Sequence, residues 1–460
     1  MTKSNEITQT ISVVGAGLAG SECAFQLAEM GFNVHLYEMR QKKLTPAHKT
    51  IDFAELVCSN SFGSLAEVSA PGQLKWEAEQ LNSLILRKAK EFSVPAGQAL
   101  GIDREKFAQA VTDEISKHPR IKIIHAVVES LDQIPRPTVI ATGPLTDESL
   151  AASLQKHFGD EFLYFFDAIA PIVDADSINT EIAWKANRYD KAENAIVGQP
   201  FEQTGGDYYN CPMNKEQYLA FIDEITKARK IEPKHFETTE FFEGCMPIEV
   251  MVERGPQTLR FGPMKPVGLD DPKTGRYPYA VVQLRQDNKE GTAYNIVGFQ
   301  TRMAYGEQTR VFRMIPGLEN AEFLKLGSIH RNMFINSPKR LNKDLSSKND
   351  PLLFFAGQIT GVEGYFESTC IGLLVAHFVA QKISDKPFSG PPRDSALGSL
   401  LNAITDEFRI DNFQPTNINF ALLPPLDEET KKKIKDKKER KSLQIQKARE
   451  ALSVWKKLIS

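Results

Sequence analysis

A glycine turn set between two apolar, β-rich runs constrains this chain more than any other feature. Ile11-Ser-Val-Val14 leads into Gly15-Ala16-Gly17-Leu18-Ala19-Gly20. The next stretch, Ser21 to Met30, places Cys23, Ala24, Leu27 and Ala28 at helical spacing, and Gly31 ends it. Asn33 to Tyr37 reads as a second strand with Glu38 at its end. Strand, glycine turn, helix, strand, acid is the order of a βαβ unit that holds a dinucleotide. Gly15 permits the tight turn, Gly17 lets backbone approach a pyrophosphate, and Gly20 lets the helix pack on the strand. The helix N-terminus offers unpaired N–H groups to the phosphates. Glu38, 18 residues after Gly20, is placed to accept hydrogen bonds from a ribose. A purely structural βαβ turn, or a SAM-dependent methyltransferase, uses similar elements. In the latter class an acid commonly precedes the first glycine, where this chain has Val14.

No second G-x-G-x-x-G occurs, but two later strand-to-glycine turns do. Thr138-Val-Ile-Ala-Thr-Gly143 is one. The other is Phe354-Phe-Ala-Gly357-Gln358-Ile-Thr-Gly361-Val-Glu-Gly364, which precedes the apolar helix-like run Ile371 to Val379. Closing on an N-terminal Rossmann unit, they predict an α/β, two-part FAD-binding domain, although each segment alone also reads as an ordinary turn. The expected organisation is a first FAD-binding part over 1–175, an inserted α+β substrate domain over 176–325, a second FAD-binding part over 326–425, and a tail over 426–460. The Ser-, Pro- and Ala-rich stretch Thr45 to Ala99, with a helical run near Leu74 to Lys90, is expected to wrap the flavin. Strands are expected over Tyr279 to Leu284 and Tyr294 to Phe299. In the tail, Lys431 to Lys441 carries eight Lys or Arg among eleven residues. Ile445, Ala448, Leu452, Trp455 and Ile459 then recur on one helix face. That pattern fits an amphipathic helix docked on the body, or a surface that contacts phosphates.

A net charge of −3 gives no global positive field, so any nucleic-acid contact must be local. Five cysteines without a C-x-x-C pair suggest neither a zinc site nor a disulfide framework, and no metal is expected. The N-terminus lacks an apolar signal core, and no apolar run approaches the roughly 20 residues needed to span a bilayer. A cytoplasmic protein away from the membrane is the expectation.

Two cysteines stand out. Cys58 ends an apolar run in Phe53-Ala-Glu-Leu-Val-Cys-Ser-Asn-Ser61, and Cys245 lies between glycine and proline in Gly244-Cys-Met-Pro247. Both contexts resemble turns that present a thiol, against the general tendency of lone cysteines to be buried and inert. Cys23, Cys211 and Cys370 read as packing. Arg254, Arg260, Lys265, Arg276, Gln283, Arg285, Arg302, Arg310 and Arg313 are interleaved with Tyr277, Tyr279, Tyr294 and Phe299. Such a set suits stacking on a base or pterin and pairing with phosphate, and equally an ordinary exposed sheet face.

Taken together, the strings Val14-Gly-Ala-Gly-Leu-Ala-Gly-Ser-Glu22, Leu36-Tyr-Glu-Met-Arg40, Thr45-Pro-Ala-His48, Phe53 to Ser61, Ala141-Thr-Gly-Pro-Leu145, Tyr209-Asn-Cys-Pro-Met213, Phe242 to Glu249, Phe261 to Leu269, Tyr279 to Asn288 and Ala356 to Tyr365 resemble the TrmFO family. These are folate- and FAD-dependent tRNA uracil-5-methyltransferases, related to the GidA/MnmG flavoproteins. Gly63, Phe366 and Cys370-Ile371 depart from the usual pattern without touching the main motifs. The resemblance implies 5-methyluridine formation at position 54 in the T loop of tRNA. Methylenetetrahydrofolate would be the carbon donor, and FAD reduced by NADH or NADPH would relay the carbon. It implies that Cys245 adds to uracil carbon 6, which makes carbon 5 nucleophilic, and that Cys58 is a second active-site thiol beside the flavin. Methylation of rRNA by the same chemistry, a flavin oxidoreductase acting on a small molecule, and a non-catalytic RNA chaperone are the alternatives.

Overall fold

The computed structural model describes residues 9–45, 47–159, 163–168, 170–188, 205–231, 246–327 and 329–459. Five parallel strands form the first sheet, in the spatial order Leu353–Phe355, Thr138–Ile140, Thr10–Val14, Asn33–Glu38, Ile121–His125. The edge strand comes from late in the chain, so the sheet is completed only when the second segment returns. Thr10–Val14 lies between strands added on opposite sides, the topological switch point at which open α/β sheets leave a crevice beyond their carboxyl ends.

Helix Leu18–Glu29 follows directly from the glycine turn and is buried along nearly its whole length. Its cover is helix Tyr365–Ile383, equally apolar, whose interior is fully buried from Cys370 to Ala376. The two helices approach so closely that a Cβ on Gly372 would lie 2.2 Å from the Ala19 carbonyl oxygen. Between Leu74 and Lys90 the expected single helix is two, Ala70–Gln80 and Leu84–Glu91. Asn82, at φ +57°, breaks the run, and the Ser83 hydroxyl caps the second helix.

A six-stranded antiparallel sheet forms the other layer, in the order Trp184–Lys185, Tyr208–Met213, Ala280–Gln286, Ala293–Ile296, Ile172–Asp174, Phe323–Lys325. It has its own core, to which Tyr218 and Phe221 of helix Lys215–Lys227 and Phe312 of helix Tyr305–Phe312 contribute. The strand expected to reach Phe299 ends at Ile296, because the chain turns at Gly298 with φ +74°. Strands Leu163–Ala168 and Ile329–Phe334 carry the chain out and back and pair antiparallel with each other.

The tail forms helix Lys437–Ile459. Ile445, Ala448, Leu452 and Trp455 are buried, the Trp455 indole N–H donates to the Ser389 carbonyl, and the Arg449 guanidinium stacks 5.0 Å from the Trp76 ring. The apolar stripe is thus a docking face against the first core. No helix among the described residues is long and apolar enough to cross a membrane.

Candidate active site

A cleft of about 1040 Å³, counting its open mouth, lies at the carboxyl ends of the central strands. Gly15, Gly17, Leu18, Ala19, Glu38, Gly143, Gly357 and Gln358 line it, joined by Arg40, His48, Val57 and Tyr365. Three segments separated by more than a hundred residues therefore converge, as their glycine turns require. Ala16, Gly20 and Gly361 are not in the wall. Gly20 serves packing: a Cβ there would sit 1.7 Å from the Gly15 carbonyl oxygen. Gly361, at φ +82°, lies against the Phe413 ring.

The groups present fit a dinucleotide. A Cβ at Gly17 would meet nothing within 4 Å, and so would one at Gly143; both would project into space that a ligand can use. No side chain caps helix Leu18–Glu29, whose first residues face the cleft. Its N–H groups and positive dipole end are thereby left for phosphate. The turn Gln358–Thr360, capped by Gly357, also has no side-chain cap.

Glu38 is held more tightly than its position in the sequence implies. Its carboxylate accepts the Ala16 amide at 2.8 Å, the Arg40 amide at 2.9 Å and the Arg40 Nε at 3.0 Å. Arg40 Nη2 reaches the Ala16 carbonyl as well, at 3.3 Å. Burial alone would raise this carboxyl, but the charge and hydrogen bonds of Arg40 and the Ala16 amide outweigh it and leave the group below its usual range. Glu38 and Arg40 therefore lock the glycine turn to the end of the second strand.

Cys58 is half-buried beside cleft-lining Val57 and Tyr365. The Tyr365 hydroxyl donates to Cys58 Sγ at 2.9 Å and accepts the Cys58 amide at 2.6 Å. Burial and the neighbouring sulfur push the Tyr365 phenol well above its usual value, so it stays protonated and able to donate. The loop after Cys58 is anchored from the second layer: Arg285 donates to Ser59 Oγ and Asn60 Oδ1, each at 3.0 Å. Asn60 in turn donates to the Ile102 and Gln286 carbonyls.

Cys245 lies outside the described residues. Cys23, Cys211 and Cys370 are fully buried, as packing residues should be. Among the interleaved residues, Tyr294 and Phe299 belong to the second core, where their faces are covered by neighbours such as Tyr209, Phe221 and Phe312. They do not form a stacking platform; apolar burial claims them. Arg285 is also buried, against Ser59 and Asn60 of the first domain, and Gln283 is buried against Asn210 of its own sheet, whereas Tyr277 is exposed. Arg104 and Lys325 carry no local signal in the sequence. Arg40 and Tyr365 lie in the family-like strings Leu36–Arg40 and Ala356–Tyr365 with no role of their own; their signal is a place just after the acid Glu38 and at the end of a glycine-rich turn.

Fold and cleft together define a two-part, dinucleotide-binding α/β protein. The family model for glucose inhibited division protein A matches residues 10–387. A GidA structure from Aquifex aeolicus superposes with a TM-score of 0.66 at 13% identity, over all of this chain and 75% of that one, which speaks to the fold alone. Among curated proteins, the methylenetetrahydrofolate–tRNA-(uracil-5-)-methyltransferase TrmFO of Bdellovibrio bacteriovorus is 74% identical over 97% of this chain and 98% of its own length. That of Natranaerobius thermophilus is 53% identical over 93% of this chain and 96% of its own. The chain belongs to the GidA family and, within it, to the TrmFO family.

Proposed function

We propose that this protein forms 5-methyluridine at position 54 of tRNA in the cytoplasm. Methylenetetrahydrofolate would be the carbon source, with FAD reduced by NADH or NADPH. The observation that carries the reading is the 74% identity to a TrmFO enzyme across essentially both chains. The cleft supports it. Gly15, Gly17, Leu18, Ala19 and Glu38 would hold one end of FAD, and Gly143, Gly357 and Gln358 the other. When bound, FAD supplies the redox and one-carbon chemistry that side chains lack.

The chain's own residues supply binding and proton control. The uncapped helix start receives pyrophosphate, and Arg40 fixes the turn that presents it. Tyr365, in the cleft wall, holds the Cys58 sulfur behind it with a directed O–H. By the resemblance, Cys245 is the nucleophile toward uracil carbon 6, which turns carbon 5 into a nucleophile.

The test is incubation of the purified holoenzyme with unmodified tRNA, NAD(P)H and methylenetetrahydrofolate labelled in its one-carbon unit. Label is expected in 5-methyluridine at position 54. Parallel reactions replace the labelled folate with labelled SAM, or the tRNA with rRNA; label entering RNA only from SAM, or only in rRNA, overturns the reading.

A further inference from the structure

Three cations from three separate elements converge on the backbone and side chains of residues 56–60. Arg104, at the start of helix Arg104–Lys117, donates to the Leu56 carbonyl at 3.2 Å. Lys325, at the end of strand Phe323–Lys325, donates to the Val57 carbonyl at 2.8 Å. Arg285, in strand Ala280–Gln286, binds Ser59 and Asn60. The positive charges of Arg285 and Lys325 both act on Cys58. Tyr365 adds an O–H aimed at the sulfur. Tyr208 stands beside Arg285, and Lys49 beside Lys325. Among the described residues, Asp287 is a carboxylate facing this cluster, and it is engaged by Arg104 at 2.8 Å. Gathering one buried and two half-buried cations around one loop costs desolvation energy, and Asp287 alone does not neutralise them. An anion at the centre would.

We propose that Arg285 and Lys325, with Arg104 behind them, are positioning residues that keep the Cys58 sulfur ionised at neutral pH. The inference rests on the proposed methylation for its purpose: a thiol at the cleft can attack carbon or accept a proton only as thiolate. Burial and the surrounding cations pull the Lys325 ammonium down to about 8. That is what crowding positive charge around a site intended for a negative one does to its weakest member.

The test measures the rate of Cys58 alkylation by iodoacetamide against pH in the holoenzyme, with the modified peptide identified by mass spectrometry. In wild type the midpoint is expected below the ordinary thiol value of about 8.5. A wild-type midpoint at or above it overturns the proposal without any variant. Lys325→Met is expected to raise the midpoint by about one pH unit, the scale of one lost neighbouring charge. Lys325→Arg, which restores a charge, is expected to keep the midpoint near wild type. Flavin content reports folding. A midpoint that does not move in Lys325→Met shows that the lysine only shapes the loop. The assay uses neither tRNA nor folate. A protein that alkylates as expected but makes no 5-methyluridine refutes the proposed function alone, and the converse result refutes only the cation seat.

Discussion

The Tyr365 hydroxyl lies 2.9 Å from the Cys58 sulfur and at the same time accepts the Cys58 amide at 2.6 Å. One side chain from the returning, C-terminal segment of the first domain thus fixes both the position and the hydrogen bonding of a thiol from its N-terminal segment, 307 residues away. Accepting the amide leaves the hydroxyl proton to point at sulfur, so the contact strengthens when the sulfur becomes an anion.

Removing that proton isolates its worth. Tyr365→Phe keeps the ring, and with it the packing on Phe62, but deletes the donor. A hydrogen bond to a charged group contributes about 1.5–3 kcal/mol, so methylation is expected to fall roughly ten- to a hundredfold with flavin still bound. Turnover equal to wild type would show that Tyr365 only supports the loop.

Gly17 and Gly20, three residues apart, should fail differently. Gly17→Leu fills open space that the pyrophosphate needs, so the protein is expected to fold and purify colourless. Gly20→Ala drives a Cβ toward the Gly15 carbonyl, at 1.7 Å, so the fold itself is expected to suffer, by about 1–3 kcal/mol or more. Flavin absorbance and apoprotein melting, read together, separate the two. A yellow Gly17→Leu protein would remove this turn from the binding site.

Glu38 sets an acid limit. Its folded-state carboxyl lies below the usual value, so its stabilisation is complete above the unfolded value of about 4.3 and is lost as pH falls through the folded one. Flavin release and melting temperature are therefore expected to turn downward below about pH 4, and less steeply in Glu38→Gln, which starts from lower stability at pH 7. Parallel acid curves for the two proteins would show that other carboxylates govern the transition.

The roles of the two thiols are separable with tRNA carrying 5-fluorouridine at the target, since fluorine cannot leave as a proton does. A covalent protein–RNA adduct is expected in wild type and in Cys58→Ala, and none in Cys245→Ala, which should keep its flavin. Recovery of the Cys58 peptide on RNA would reverse the assignment, and an RNA-free protein throughout would remove the covalent step.

What the sequence determined by itself is the local grammar of the nucleotide fold. The turn at Gly15 to Gly20 and the acid at Glu38 were readable because glycine geometry and strand–helix alternation are local properties. The tail's docking face was readable because Ile445, Ala448, Leu452 and Trp455 fall on one side of a helix whatever lies beneath. Tyr294 and Phe299 suited a stacking surface and an ordinary sheet face equally, because a pattern of aromatics does not say which face a second core will cover. Only the tertiary structure decided that. Only it brought Arg104, Arg285 and Lys325 to the Cys58 loop, from positions 46, 227 and 267 residues further along the chain. Charge acts through space and leaves no periodic mark in sequence. A lone cysteine reads the same whether its neighbours are leucines or cations, and folding alone settles which they are.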